Sequence, residues 1–350
     1  MPLARLITAT LLLGLSGCAS LGYYWQSVHG HLNLMNAARP VDDWLQDADA
    51  PEKLKARLAL SQQIRRFAVS ELNLPDNASY QRYADLKRKA VVWNVSAAPE
   101  FSLTLKTWCF PVTGCVGYKG YFDEAEARAE ADQLSAQGLE VSVYGVPAYS
   151  TLGWMNWAGG DPLLNTFIQW QEVELARLIF HELAHQVAYA GDDTTFNESF
   201  ATAVERIGSR RWLALHGTPQ MVAAQALSEQ RQSDFRRFTL RWRGELDALY
   251  RSEATDAVKR QRKAALMAQM HADYAALKQR DWGGYSGYDG WFARANNASF
   301  AVLAAYNELV PAFERLFELH GSDFKRFYAE VQGMAALPRD QRRAKLAATP

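Results

Sequence analysis

The sequence predicts an α+β fold, predominantly helical, with a small mixed sheet over about residues 90–150 packed on a helical core. Three observations point there. Apolar residues recur at helical spacing through Pro51–Leu74 (Leu54, Leu58, Leu60, Ile64, Phe67, Ala68, Leu72). Residues 90–150 change to short β-branched and alternating runs. From Asp161 to the end the pattern reads as helices only. The 350 residues are 49% hydrophobic and 22% charged, an ordinary globular composition that excludes a disordered chain or a polytopic membrane protein. Thirty-eight basic residues balance 38 acidic ones, so no basic footprint for nucleic acid exists.

Residues 1–17 read as an export address outside the fold. Arg5 supplies one positive charge before an apolar stretch from Leu6 to Leu15. At about 1.5 Å per residue this stretch is too short to span a bilayer, and it matches the apolar segment of a secretory signal peptide. It ends in Leu15-Ser16-Gly17-Cys18, which resembles the lipobox of bacterial lipoproteins. That resemblance implies cleavage before Cys18 and a lipid on its thiol; an ordinary cleaved signal is the alternative. Ala19 takes the position where Asp tends to retain such proteins at the inner membrane. The expected location is therefore the bacterial cell envelope, lipid-anchored at the outer membrane and facing the periplasm. Residues 18–350 then carry 37 basic against 38 acidic residues and contain no second apolar run of about 18 residues.

The remaining elements follow in order. Residues 18–90 form a helical N-terminal part, in which Pro51 starts a helix and Pro75 stops it. Residues 90–95 and 101–105 read as strands, the second by strict alternation, and 116–122 as a third. Cys109 and Cys115 flank a turn containing Pro111 and Gly114. In an oxidising compartment they are expected to pair, adding at most about 2–3 kcal/mol across so short a loop; two buried free thiols are the alternative. Asp123–Gln137 is a helix stopped by Gly138, and 139–144 a fourth strand running into Gly145–Thr151. Asp161-Pro162 reads as a helix start, with 161–350 as a helical half broken by the Gly-rich Trp282–Gly290. No internal repeat occurs, so 18–350 is read as a single unit.

Chemistry concentrates in Phe180-His181-Glu182-Leu183-Ala184-His185-Gln186, an H-E-x-x-H motif in an apolar, Pro-free and Gly-free setting. On a helix the i,i+4 spacing puts both imidazoles on one face, where they can hold one Zn²⁺. Glu182 is placed to take a proton from water at the metal. Such a motif arises by chance in on the order of one chain of this size in a hundred. A catalytic zinc needs a third protein ligand and an open position. Gly191–Thr194 reads as a turn between two helices, the first ending near Ala190, and the returning helix carries Glu198 in its first turn and Glu205 two turns on. A tight hairpin alone would favour Glu205 as the ligand.

H-E-x-x-H followed by Asn197-Glu198-x-Phe200-Ala201 resembles the gluzincin metallopeptidases, notably the aminopeptidase N-like enzymes. The resemblance implies Glu198 as third zinc ligand and Glu182 as general base. The spacer is shorter here, and the G-x-M-E-N block that grips a free amine in those enzymes is missing. More of the chain resembles the putative aminopeptidase family of bacterial lipoproteins, through Leu15–Cys18, Val92–Val95, Trp108–Pro111, Ala148–Trp154, Phe180–Gln186 and Phe196–Glu205. Exopeptidase action is implied by that family and not by residues. By the same likeness Tyr149, Ser150 and Thr151 are candidates for an edge that pairs with an extended substrate, or for a structural turn. Tyr306 is a candidate oxyanion donor, or a core tyrosine. Asp192 and Asp193 could orient a zinc histidine or cap the turn, and Glu205 could hydrogen-bond behind the ligands or face solvent. His29, His31, His216, His271 and His320 lack a partner at ligand spacing. The reading is a zinc peptidase acting on peptides and held to a membrane through Cys18. The alternatives are an envelope endopeptidase or a peptide-binding lipoprotein without turnover, for which Glu182 would be superfluous.

Overall fold

The computed structural model describes residues 22–110, 114–148, 150–151, 153, 156–305 and 309–349. The chain opens with helix α1 (22–37). Strand β1 (Arg39–Pro40), helices α2 (Val41–Gln46) and α3 (Glu52–Leu72) and strand β2 (Arg82–Ala84) follow. Strands β3 (Val92–Pro99), β4 (Trp108–Phe110), β5 (Gly114–Val116) and β6 (Lys119–Tyr121) precede helix α4 (Glu124–Ala136) and strands β7 (Leu139–Val146) and β8 (Leu163–Leu164). The rest is helical: α5 (Glu172–Ala184), α6 (Thr194–His216), α7 (Pro219–Arg251), α8 (Asp256–Arg280), α9 (Asp289–Phe292), α10 (Asn297–Ala305), α11 (Val310–Leu319), α12 (Phe324–Ala335) and α13 (Arg339–Ala347). Helix dominates and the sheets hold two or three strands each, so the fold is α+β and predominantly helical.

Several boundaries differ from the sequence reading. The sheet within 90–150 has the order β6-β3-β7 and is antiparallel throughout; the mixed sheet is β1-β2-β8, where β2 pairs antiparallel with β1 and parallel with β8. Residues 101–105 form no strand. Ser102 N donates to Pro99 O and Lys106 N to Ala97 O, closing a loop whose alternate residues Phe101 and Leu103 pack among α7 and α8. The alternation records that anchoring. Asp161-Pro162 starts no helix: Leu163 pairs with Tyr83 in β8, and α5 begins only at Glu172. Residues 73–90 likewise leave the helical pattern after Asn73 caps α3 in the left-handed conformation. Helix α5 ends at Ala184, well short of Ala190.

Three apolar clusters result. The largest joins α3, α5, α6, α11 and α12, with Ile64, Phe67, Phe180, Phe200, Phe313 and Phe327 fully or nearly buried. A second fills the space among α7, α8 and α9 around Trp242, Met270 and Phe292. The third seals one face of the β6-β3-β7 sheet (Val95, Ala97, Tyr121) against Ala127, Ala131 and Leu134 of α4. The disulfide Cys109–Cys115 joins β4 to β5 where the two residues face each other in register.

The start of α6 is fixed by charge. The Asp193 side chain is fully buried, accepts from Phe196 N as the helix cap (3.1 Å), and pairs with Arg342 (3.3 Å) and Arg343 of α13. Asp192 also meets Arg342, at 3.0 Å. Replacing Asp193 by Ala removes the helix cap and one of two carboxylates on Arg342, which keeps Asp192 and the carbonyls of Met334, Ala335 and Leu337. We expect Asp193→Ala to cost about 2–4 kcal/mol in urea unfolding, from the lost cap and the lost charged hydrogen bonds. A loss under about 1 kcal/mol would show that α13 does not hold this helix start.

Candidate metal centre

Helix α5 forms because Val173, Ala176, Ile179, Phe180 and Leu183 make an apolar face that is buried, while Glu172 and Glu174 sit in the first turn where acidic residues favour the helix dipole. His181 and His185 lie one turn apart on another face, His185 as the residue that ends the helix. The chain then turns through 186–193 into α6. Asn197 clamps this turn: its Oδ1 accepts from Ala190 N and its Nδ2 donates to Ala190 O, both at 2.8 Å. Glu198 follows directly, in the second turn of α6, and points at the histidines.

The ligand geometry is compact. His181 Nε2 and His185 Nε2 stand 3.2 Å apart, and Glu198 Oε2 lies 3.3 Å from the first and 3.7 Å from the second. Atoms about 2.0–2.1 Å from one tetrahedral ion are separated by about 3.3–3.4 Å. The three residues therefore have the mutual spacing of ligands to a single metal, and they could hold one.

Behind the ligands, His181 Nδ1 donates to Glu205 Oε2 at 2.9 Å. A carboxylate cannot donate, so Glu205 keeps a proton on Nδ1, and Nε2, which faces Glu198 and His185, offers a lone pair to an ion once it carries no proton of its own. Glu205 Oε1 accepts from Arg177 Nη2 at 2.5 Å. Burial opposes ionisation of Glu205, but Arg177 and His181 outweigh it and hold its pKa down at about 2. Burial likewise opposes a charge on His181, yet the Glu198 and Glu205 carboxylates lift its pKa well above the ordinary histidine value. Burial, reinforced by His181, lowers His185 to about 4 and leaves it neutral. The local field thus favours positive charge between the two helices, and the buried Nδ1 of His185 has no hydrogen-bond partner.

Glu182 lies beside the ligands. Burial, and repulsion by Glu198 and Asp161, raise its pKa to about 7 against the pull of His181 and a hydrogen bond from Ser150. A base poised near neutrality suits proton transfer at ordinary pH. Ser150 also hydrogen-bonds Asp161, and Thr151 N donates to both Asp161 carboxylate oxygens at 3.0 and 3.1 Å. Ser150 and Thr151 are in no strand, and the Thr151 N–H is committed to Asp161, so it is not free to pair with an extended substrate. Tyr149, Tyr306 and Cys18 lie outside the described residues.

Four phenols near this cluster carry no signal in the sequence motifs. Tyr118 and Tyr144 have raised pKa values, through burial first and then through the Glu198 charge. Tyr189 is raised in the same way. Tyr80 is buried with an unpartnered hydroxyl, and burial with the charges of Glu182 and Asp161 pushes it up. All four stay protonated and can donate. Arg177 was also missed, although it stands at i−4 from His181 on the same helix face. Asp192 and Asp193 serve the α6 start, as described above, and do not touch a metal-site histidine.

A family model described as "Putative aminopeptidase" matches residues 22–346. No curated protein and no solved structure matches the chain. The geometry separates the two glutamates on α6. Glu198→Ala is expected to abolish stoichiometric metal binding, whereas Glu205→Ala should keep the metal with affinity lowered about 10–100-fold, the usual effect of losing a group that orients a ligand. Metal analysis after gel filtration and chelator competition measures both. Retention by Glu198→Ala with loss by Glu205→Ala would move the ligand role to Glu205.

Proposed function

Because this chain belongs to the putative aminopeptidase family, we propose that it is a zinc-dependent peptidase that removes residues from the free amino end of peptides. The observation that carries the zinc reading is the spacing of His181, His185 and Glu198 at 3.2, 3.3 and 3.7 Å. Two imidazoles and one carboxylate form a donor set suited to catalytic zinc. When bound, zinc lowers the pKa of water and polarises a carbonyl oxygen.

The protein's own groups supply the rest. Glu182 takes one proton from the attacking water as its oxygen bonds to the peptide carbonyl carbon. It returns that proton to the departing amine as the C–N bond breaks, giving a carboxylic acid and an amine. Its burial beside the ligands favours holding that proton between the two transfers. Glu205 and Arg177 hold the His181 ring in orientation. Tyr118, Tyr144 and Tyr189 lie within the field of Glu198, keep their protons and are candidate donors to an oxyanion. Tyr306 remains a candidate for the same task. We place the protein in the bacterial envelope, anchored by a lipid on Cys18 and facing the periplasm. The lipobox and Ala19 support the outer membrane.

Endopeptidase action is the second reading, favoured by the missing G-x-M-E-N block. A panel of aminoacyl chromogenic substrates beside acetyl-blocked peptides separates the two. Cleavage confined to free amino ends is expected, and equal cleavage of blocked peptides would make the enzyme an endopeptidase. Glu182→Gln should keep its zinc and lose about 10²–10⁴-fold in turnover, the usual contribution of a general base. Near-normal hydrolysis by the metal-loaded variant would remove Glu182 from the mechanism.

A further inference from the structure

Helix α1 has two apolar faces, and the fold uses one. Tyr23, Gln26, Gly30 and Leu34 lie on that side. Tyr23 stacks on Phe110 and meets Tyr121 edge-on. Gln26 donates to Gly120 O at 3.3 Å and accepts from Phe122 N at 3.0 Å. A Cβ at Gly30 would strike the Phe122 ring, and Leu34 is buried. At about 100° per residue, Trp25, Val28 and Leu32 fall on the opposite side. They are 72%, 56% and 52% exposed, with Tyr24 at 43% beside them. Residues 22–37 contain no Asp, Glu, Lys or Arg. A surface helix ordinarily turns charged and polar residues to water; this one turns an aromatic and aliphatic stripe outward.

The tether indicates what covers the stripe. This inference rests on the lipid-anchor reading of Cys18. The described part of helix α1 begins at residue 22, four residues past that thiol, a span of at most about 14 Å. Acyl chains on Cys18 hold the first turns of α1 at the bilayer surface. There, Trp and Tyr are favoured where hydrocarbon meets headgroups, and Leu and Val gain by leaving water. With no Asp, Glu, Lys or Arg on the helix, no permanently charged side chain must be dehydrated as it sinks, and the exposed imidazole on this side, His29, stacks on Trp25. We propose that the Trp25–Val28–Leu32 face of α1 lies in the interfacial layer of the membrane that holds the Cys18 lipid. The catalytic body is then docked in one orientation and does not swing freely on its tether.

The test uses the full lipidated chain carrying Val28→Cys. This thiol is free for labelling, since Cys18 is acylated and Cys109 and Cys115 are joined. An environment-sensitive fluorophore there is followed in vesicles of phosphatidylethanolamine and phosphatidylglycerol. We expect a quencher on the lipid acyl chains to remove more than half of the emission, and aqueous iodide to have little effect. Adding Trp25→Ser and Leu32→Ser, both at exposed positions, should raise iodide quenching several-fold while the protein still co-floats with vesicles. If the labelled protein co-floats but its label is open to iodide and blind to the lipid quencher, docking is overturned and the anchor stands. If the wild type neither co-floats nor carries acyl mass on Cys18, the anchor reading falls and docking falls with it. Iodide protection without vesicles, growing with protein concentration, would mark a second copy as the occupant and also overturn the proposal.

Discussion

The candidate metal centre depends on where α5 stops. The helix ends at Ala184, and the Asn197 amide fixes the following turn by holding both backbone groups of Ala190. Had α5 continued to Ala190, a tight antiparallel hairpin would have carried Glu198 past the histidines and set Glu205 level with them. The early stop lets α6 return closer to the histidines. Glu198 then reaches the Nε2 side of His181, and Glu205, two turns on, reaches the Nδ1 side of the same ring. One imidazole is thus gripped at both nitrogens from one helix. The choice between the two glutamates becomes a division of labour.

That arrangement gathers carboxylates where burial disfavours them. Glu182, Glu198 and Glu205 converge within one helix pair, and Arg177 answers Glu205 directly. Its bond to Glu205 leaves Glu198 and the two Nε2 atoms in a field that attracts a cation. An ion between these donors would discharge the repulsion that keeps Glu182 near neutrality in its own pKa. Binding the metal and tuning the base are therefore linked through one set of charges. Asp161, held by Ser150 and Thr151, adds to the same field from the loop side.

What could be read from the sequence follows how locally each feature is encoded. His181, Glu182 and His185 depend on a single turn of helix, so their spacing announced their geometry. The predominantly helical class and the limits of α3 and α4 were legible for the same reason. The error at residues 101–105 shows the limit of periodicity: Phe101 and Leu103 alternate because a loop inserts them into the α7–α8 core, and among the described residues no strand pairs with them. The end of α5 was misjudged because residues 185–190 contain no Gly or Pro; tertiary contacts stop the helix there. Tyr118 and Tyr144 feel the Glu198 charge from a distant part of the chain. Electrostatic coupling between residues so distant in sequence leaves no mark in a local motif.

The β6-β3-β7 sheet links these parts. Its strands alternate, so the residues between Val95 and Ala97 turn away from the α4 face. Asn94 and Ser96 are buried on that other face, and Tyr144 lies opposite Asn94 in register. Those positions are too polar for a core that seals only helix against sheet, and Tyr144 senses the Glu198 charge across the gap. The apolar face thus anchors the sheet on α4, while β3 and β7 also pack against α10. At the β6 edge, Gln26 of α1 bonds Gly120, so α1 is joined through β6 and β3 to the strand that carries Tyr144. Fixing α1 at a membrane would therefore fix the direction in which the site opens, since the sheet transmits that orientation as a rigid, hydrogen-bonded unit.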